Sequence, residues 1–563
     1  MEFSVKKRDG PGRIGKLKIN EKKIITPNIL FLNTNRFKAP EFANILITNE
    51  KKKTSKPKLS FSGNLLIQRI NEKKDTIIIV PNASQLLNQP KKFVDYIINL
   101  REKIGYQKAI FLPSAGNPTN LALLTYIGVD LFDSTTAIIS ARNNILLFEI
   151  GPYNKNDLEE NPCNCPSCSK AFKKPKEMNF NEILNHNYYA IYKEIKHVRN
   201  AISKENLRNL VENRIKADPN LTAILRDLDS NYYEYLEERT PIQSNNKLIA
   251  TSFESLNRPE IKRYQERLIN RYKKPYSAKI LLLLPCSAKK PYSFSKSHKL
   301  FREKIISTKN PFIIHEVIIT SPIGVVPRDL ELLYPPSSYD IPVTGIWDEE
   351  EKKIITNLLS TYLKQNKYDK IISHLSEDLN EFIIPILNKP ILTCLDNPTS
   401  KKSLGNLYNN LKTEVSKFEK IKPQKRTQED IEALASYQFD KEIANNLLKD
   451  AQIKGKYPYQ KIIKNKTQLG MITKERGLIS LTLNGAKHLL DLKQYWVEIY
   501  DDFDLIGSVF SPGVKNADSK IRIGDEVIII KNNKLVAIGV AKMNGKEMKI
   551  SNHGEAVKVR HKA

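Results

Sequence analysis

No stretch of the 563-residue chain approaches the roughly 18 consecutive apolar residues that a membrane-spanning helix needs. The opening residues, Met1-Glu2-Phe3-Ser4-Val5-Lys6-Lys7, lack the apolar core of a secretory signal, so a cytoplasmic location with no membrane association is expected. Cysteine is scarce. There are five, three of them within six positions, which excludes a disulfide framework and fits metal binding in a reducing compartment. Acidic residues are also in short supply, 62 Asp and Glu against 91 Lys and Arg, leaving a net charge of +29. That excess goes beyond what solubility requires and points to a polyanion, since each phosphate neutralised by a basic side chain releases counterions. The plain alternative is the lysine enrichment of low-GC or heat-adapted proteins. Internal repeats and long low-complexity tracts are absent too.

With 40% apolar and 27% charged residues, the chain is an ordinary globular one, and its length calls for roughly three to four domains. Residues 1–240 alternate short apolar runs (77–80, 109–112, 138–140) with helical spacing such as 93–104, as expected of parallel strands covered by helices. A polar stretch at 236–247 reads as a linker. A second α/β unit spans 245–415, with strands expected at 279–284, 312–320, 370–373 and 390–394 and a helix at 349–364. Basic, polar residues 417–426 mark another boundary, and 429–450 has helical spacing. Residues 491–563 turn to short strands separated by Gly, Asn-Asn and Asn-Gly turns, a small β domain.

Cys163, Cys165 and Cys168 form a Cys-x-Cys-x-x-Cys knuckle between Pro162 and Pro166. Three thiolates need a fourth ligand for a closed tetrahedral site; His186 is the first choice and His197 the reserve, with a structural Zn2+ as the metal. A cluster of free or redox-active thiols is the alternative. The knuckle followed by His186-Asn187 resembles the zinc site of the tRNA-guanine transglycosylases, which are (β/α)8 barrels. Gly12-Arg13-Ile14-Gly15-Lys16-Leu17 resembles that family's N-terminal hairpin. Leu112-Pro113-Ser114-Ala115-Gly116-Asn117-Pro118 with Gly128-Val129-Asp130-Leu131-Phe132-Asp133 resembles the segment carrying its nucleophilic aspartate. The resemblance places Asp133 at that position. The family's Gly-rich general-base and base-binding stretches have no counterpart between residues 51 and 108, where Val80-Pro81-Asn82-Ala83-Ser84 stands instead. Base exchange needs a proton carrier besides a nucleophile. The expectation is therefore a shortened barrel in which Asp133 contacts the base without exchanging it, or is simply a solvated residue or helix cap.

Pro285-Cys286-Ser287-Ala288-Lys289-Lys290-Pro291-Tyr292-Ser293, with Ser295 and His298 following, sits at the C-terminal end of an apolar strand, where open α/β sheets place ligands. Near Lys289 and a helix N-terminus, the Cys286 thiol is expected to have a lowered pKa and to add to a nitrile. His298 and Lys290 are candidates for proton transfer or charge stabilisation. Ser287, Tyr292, Ser295, Arg328 and Asp340 are candidate substrate-binding residues. Two plainer alternatives stay open, a buried small apolar residue and a phosphate cradle built on Lys289.

The pattern Pro-Cys-x3-Lys-Pro-Tyr-x2-Ser-x2-His resembles the hallmark of the archaeosine synthases, paralogues of the archaeal transglycosylases. That resemblance implies action on 7-cyano-7-deazaguanine at tRNA position 15, with nitrogen from lysine, glutamine or ammonia. In the lysine case a radical S-adenosylmethionine (radical SAM) partner is implied. Pro512-Gly513-Val514, Ile523-Gly524-Asp525-Glu526-Val527, Ala537-Ile538-Gly539-Val540-Ala541 and Gly554 to His561 resemble the PUA domain, a small RNA-binding barrel. Arg426 to Glu429, Ser436 to Phe439 and Gly477 to Thr482 resemble the small domain that precedes it.

The expected architecture is multidomain α/β. A shortened TIM-barrel-like transglycosylase domain with zinc (1–240) precedes an α/β sandwich catalytic domain (245–415), a small α+β linker domain (424–490) and a C-terminal PUA β-barrel (491–563). By resemblance a homodimer around the zinc region is expected. Two other functions fit parts of the sequence: a transglycosylase exchanging guanine for 7-cyano-7-deazaguanine, and a non-catalytic tRNA-binding subunit.

Overall fold

The computed structural model describes residues 1–19, 21–48, 56, 58–59, 76–169 and 174–563. Much of the segment 51–108 in which the Gly-rich stretches are missing from the sequence therefore lies outside the described residues. The chain forms two compact units, one of residues 1–241, 509–514 and 543–556, the other of 242–508, 515–542 and 557–563. No helix among the described residues is long and apolar enough to cross a membrane.

The first unit opens with an antiparallel meander, Glu2–Asp9, Gly12–Ile19 and Lys22–Thr26. The glycines of the hairpin motif are packing requirements: a Cβ on Gly12 would lie 2.4 Å from Leu207 Cδ2, and one on Gly15 2.5 Å from the Phe3 ring. A parallel sheet follows in the order Lys58–Leu59, Leu46–Ile47, Asn28–Leu32, Leu131–Asp133, Ala109–Leu112, Ile77–Ile79. It has six strands among the described residues, where a complete (β/α)8 barrel has eight. The strand period of two sorts its apolar residues. Leu30, Ile47, Ile79, Phe111 and Leu131 pack with Phe3, Val5, Leu17 and Ile24 of the meander, while Phe31, Ile78, Ile110, Leu112 and Phe132 face the helices.

One ion-pair cluster joins these parts. Asp130, fully buried, accepts from Arg13 Nε (2.8 Å) and Nη2 (2.8 Å), Arg101 Nη2 (3.0 Å) and the Ile110 amide (2.9 Å). The arginine of the N-terminal motif is thus a bracket between meander, helix and sheet.

In the second unit, five strands lie in the order Gly324–Pro327, Ile314–Thr320, Ile280–Pro285, Lys370–Ser373, Ile391–Leu392. The last four are mutually parallel and the first is antiparallel to its neighbour. Ile280–Pro285 is central, which explains its unbroken apolar run: both faces are covered. Helices Lys296–Ile306 and Lys401–Val415 bury Phe301, Ile305, Leu404, Leu407 and Leu411 against Ile280, Leu282 and Leu284. A four-stranded antiparallel sheet (452–481) and helix Leu483–Asp491 follow. In the C-terminal region Trp496–Ile499 runs parallel to Glu526–Lys531, which pairs antiparallel with Lys534–Ala541, itself paired with Glu555–Lys562. The Asn532-Asn533 turn has both residues at positive φ, 50° and 59°, as a two-residue hairpin loop requires.

Four expectations are corrected. Residues 138–140 lie not in a strand but in helix Thr135–Arg142, where Ala137, Ile138 and Ala141 share one buried face. The linker at 236–247 begins later than expected, because helix Tyr233–Arg239 buries Leu236 and Arg239. The boundary at 417–426 ends inside helix Pro423–Gln438, whose Arg426 is buried and donates to the carbonyls of Phe312 and Ile314. The helix expected at 429–450 is two, Pro423–Gln438 and Lys441–Leu448, because Asp440 caps the second through the Ile443 amide at 2.8 Å.

Burial alone would raise the pKa of Asp130, but the charges of Arg13 and Arg101 outweigh it and hold the carboxyl below its ordinary range. Its contribution to stability is present above about pH 4 and is lost as pH falls through the depressed value. Asp130→Asn is expected to remove about 3 kcal/mol or more at neutral pH and to flatten the acid limb of the stability profile. Denaturant titrations of both proteins across the acid range check both effects.

Candidate functional site

The knuckle and its fourth ligand come together as expected. Cys163, Cys165, Cys168 and His186 place one ligand atom each within 4.8 Å of one another. The short helix Pro166–Ser169 carries Cys168, and helix Phe180–Ser203 carries His186. The long helix is fixed at its start by a capping box, in which Asn179 and Glu182 each accept from the other's backbone amide (3.1 and 2.8 Å). His186 Nδ1 lies 3.4 Å from Cys168 Sγ and 3.9 Å from Cys165 Sγ. Its other nitrogen, Nε2, is 3.1 Å from the Leu147 carbonyl, to which it can only donate, so the Nδ1 lone pair faces the sulfurs. Asn187 holds the same strand residue by accepting from the Leu147 amide at 2.9 Å. Hydrogen bonds from Cys163 and Cys168 pull the Cys165 thiol well below its ordinary range. Three sulfurs and one oriented imidazole fit a closed tetrahedral divalent-metal site, which leaves no open position for chemistry. His197 is not part of the cluster.

Asp133 ends strand Leu131–Asp133 and is buried. Its Oδ1 accepts from the amides of Ser114 and Thr135, both at 3.0 Å; Oδ2 has no partner among the described residues. Burial pushes this carboxyl up to about 6. Ser114 donates from a left-handed backbone, φ 56°.

Cys286 is half-buried and directly follows the central strand Ile280–Pro285. Its surroundings differ from those expected. Burial pushes the thiol pKa up, and it is opposed by the neighbouring Thr320 hydroxyl and by the charge of Lys290, not of Lys289. The helix that follows starts only at Lys296, ten residues on. Lys290, its own pKa lowered by burial, stands 3.9 Å over the ring of Tyr339. Tyr292 is buried with its hydroxyl 2.7 Å from that of Tyr339. Ser287 bonds the Lys289 carbonyl at 3.0 Å. Asp340 is exposed and pairs with Lys247 at 3.1 Å.

His298 is not placed for the proton transfer expected of it. Nδ1 accepts from Arg328 Nη2 at 2.7 Å, so Nε2 donates to the Pro285 carbonyl at 3.0 Å. Burial, reinforced by the Arg328 charge, pushes this imidazole down to about 3, leaving it neutral. Ser295 caps its helix by accepting from the His298 amide at 3.2 Å. Arg328, a candidate substrate ligand, is already engaged: Nε and Nη2 bind Glu316 (3.0 and 2.7 Å) and Nη1 binds Glu331 (2.8 Å). Glu331 also accepts from the Ser293 amide and the Tyr457 hydroxyl. Thus His298, Ser295 and Arg328 shape the end of the Cys286 strand, while Lys290 and Tyr292 are close to the thiol. A cavity of about 460 Å³ opens on the Arg328 side, lined by Lys299, Arg302, Glu303, Arg426 and Asp430 among others.

Sequence reading missed Thr320 and the Leu147 carbonyl. Thr320 ends the strand beside that of Cys286, in a register that puts Ile319 opposite Pro285. Only strand pairing, which no local motif encodes, brings 286 and 320 together.

Comparison with known proteins adds four family models in chain order: Queuine tRNA-ribosyltransferase over residues 67–220, a domain of unknown function over 261–411, the patch-forming domain C2 of tRNA-guanine transglycosylase over 429–495, and the PUA domain over 506–563. The chain is 37% identical to the archaeosine synthase subunit alpha of Methanosarcina acetivorans, covering 89% of this chain and 82% of that one. It is 36% identical to the archaeosine synthase of Haloferax volcanii, covering 86% and 82%. With the tRNA-guanine(15) transglycosylase of Methanobrevibacter smithii it shares 30% identity over 84% of this chain and 69% of the other.

Metal analysis of the purified protein is expected to find a single divalent ion per chain, lost in Cys165→Ser. A strong chelator is expected to lower the melting temperature of the unaltered protein but not of that variant. Equal chelator sensitivity in both would separate the cluster from metal binding.

Proposed function

The chain belongs to the archaeosine synthase family and is an enzyme of archaeosine formation on tRNA, and on that premise we propose how its residues divide the work. The reaction is addition of an amino nitrogen to the nitrile of 7-cyano-7-deazaguanine at tRNA position 15, with Cys286 as the nucleophile. The observation that carries this reading is the position of Cys286, at the open end of the central strand with Lys290 beside it. The thiolate adds to the nitrile carbon, forming a C–S bond, and the displaced π pair on nitrogen takes a proton to give a thioimidate. The donor amine then adds to the same carbon, and the C–S bond breaks to release the amidine and the cysteine. Lys290 stabilises the negative charge on sulfur and on the developing nitrogen anion. His298, neutral and bonded at both nitrogens, is a positioning residue that fixes the Pro285 carbonyl and so the direction in which Cys286 leaves the strand.

The domains follow the division 1–240, 245–415, 424–490 and 491–563, the first a shortened transglycosylase-like barrel and the second an α/β sandwich. Zinc fits the Cys163, Cys165, Cys168 and His186 set best, as a structural ion. Asp133 keeps an unpartnered, buried carboxylate oxygen that suits a hydrogen bond from a base N–H. Ser287 and Tyr292 line the approach to the nitrile, and Asp340 acts on it through Lys290. The donor is lysine, glutamine or ammonia. The mixed charges lining the 460 Å³ cavity suit an amino acid better than ammonia. A lysine adduct needs a radical SAM partner to finish the formamidine, and the metal-bearing region is the place for a homodimer contact. The PUA domain and the basic excess hold the tRNA.

Incubation of the protein with tRNA carrying the cyano base and each candidate donor, followed by nucleoside mass spectrometry, is expected to show the mass of one added donor. Cys286→Ala is expected to abolish the gain. Uptake of labelled 7-cyano-7-deazaguanine into unmodified tRNA would instead mark a transglycosylase. Nitrile addition that survives both Cys286→Ala and His298→Ala would assign the chemistry to another enzyme.

A further inference from the structure

Behind Cys286 the site contains a chain of hydroxyls that runs from Tyr292 of the motif to two residues outside it, Tyr339 and Thr320, which neither the motif nor the family match assigns. Thr320, Tyr339 and Tyr292 are all buried. Thr320 Oγ1 lies 3.1 Å from the Ser321 carbonyl and 2.5 Å from the Tyr339 hydroxyl, which is 2.7 Å from that of Tyr292. The directions of these bonds follow from counting hydrogens. A carbonyl can only accept, so the single hydrogen of Thr320 goes to Ser321. Tyr339 must then donate to Thr320, and Tyr292 to Tyr339. One lone pair of Thr320 remains, on a hydroxyl that the strand register sets beside the cysteine: Pro285 pairs with Ile319, so residues 286 and 320 leave adjacent strand ends side by side, and this hydroxyl draws the thiol pKa back down against burial.

We propose that Thr320 is a catalytic group of this enzyme, the hydrogen-bond donor that holds the Cys286 thiolate, and that Tyr339 and Tyr292 are positioning residues that make it one. The proposal rests on the reading of Cys286 as the nucleophile. At rest the thiol donates its hydrogen into the free lone pair of Thr320. On ionisation the thiol proton leaves to solvent, and the Thr320 hydrogen turns from the Ser321 carbonyl to the sulfur. No other proton moves, because Tyr339 still donates to Thr320 and Tyr292 to Tyr339. Burial raises both phenols above their ordinary range, so neither ionises in competition with the thiol. The other charged groups acting on the sulfur are Lys290, which favours the thiolate, and Asp378, which opposes it and is held by Trp347 Nε1 at 2.8 Å. Lys290 is itself influenced by Asp340 and Lys247. A donor in reserve is what this thiol needs. Burial disfavours its charged form, and a hydrogen bond to an ion in a dry site is stronger than one between neutral groups.

The test is alkylation of the full-length protein by iodoacetamide from about pH 6 to pH 10, a range that brackets an ordinary thiol, with Cys286 and Cys394 followed separately by peptide mass spectrometry. In Thr320→Val the Cys286 profile is expected to move to higher pH, with alkylation about tenfold slower at a fixed pH below the midpoint. Thr320→Ser is expected to restore it. Tyr339→Phe, which removes the donor behind Thr320, is expected to shift the profile the same way by less. Cys394 is the internal control, and its rate stays unchanged in every folded variant. A Cys286 profile in Thr320→Val within twofold of the unaltered protein overturns the proposal. If that variant unfolds, exposing Cys394, an unshifted profile in Tyr339→Phe overturns it instead. Alkylation requires no tRNA, so failure here is distinct from failure of the functional reading, which Cys286→Ala decides by nucleoside mass.

Discussion

The α/β unit is organised around the guanidinium of Arg328. Its donors run to Glu316 on one strand, to Glu331 beyond the next turn and to His298 on a helix, and through His298 to the carbonyl of Pro285. Arg302 completes the charge balance by donating to the second oxygen of Glu316 at 2.9 Å. A planar fork of fixed geometry ties these elements to one another, which a lysine could not do. The pKa of Glu316, which burial alone would raise, is brought down to about 2 by Arg328 and Arg302. The Glu316 carboxylate is therefore charged at neutral pH. Through His298 the network holds the carbonyl of Pro285, the residue before Cys286.

The same arrangement explains how the site motif should be understood. Of its seven fixed residues, Cys286, Lys290 and Tyr292 surround the sulfur, whereas Ser295 and His298 fix the backbone that presents it. Two residues of a motif that looks like chemistry are therefore mechanical support. Arg13 in the N-terminal hairpin tells the same story, since its role is to bracket Asp130.

What could be read in the sequence was whatever is local. The Cys-x-Cys-x-x-Cys knuckle and its histidine lie within 24 residues of chain, and the metal cluster formed as expected. The central strand announced itself by an unbroken apolar run, and the Asn532-Asn533 hairpin by its turn residues. The reading failed where the answer depended on pairing or on packing between elements. Residues 138–140 are apolar enough for a strand, and only the buried face completed by Ala137 and Ala141 makes them a helix. Asp440, a cap in the middle of an otherwise helical pattern, is the local signal that divides the two helices. The lowered pKa expected of Cys286 rests on Lys289 and a nearby helix N-terminus, without the burial that works against them. His298 looked like a free base because its two partners, a carbonyl and an arginine, are 13 residues before it and 30 after it.

The raised pKa of the Cys286 thiol has a consequence for the life of the protein in a cell. Peroxides and stray electrophiles attack thiolates, and the rate follows the fraction ionised. By raising the pKa of Cys286 through burial, the fold makes it a poor target for such damage. Under the proposed mechanism, durability between turnovers and reactivity during one are met by the same cysteine, because the charge is raised only where it is to be used.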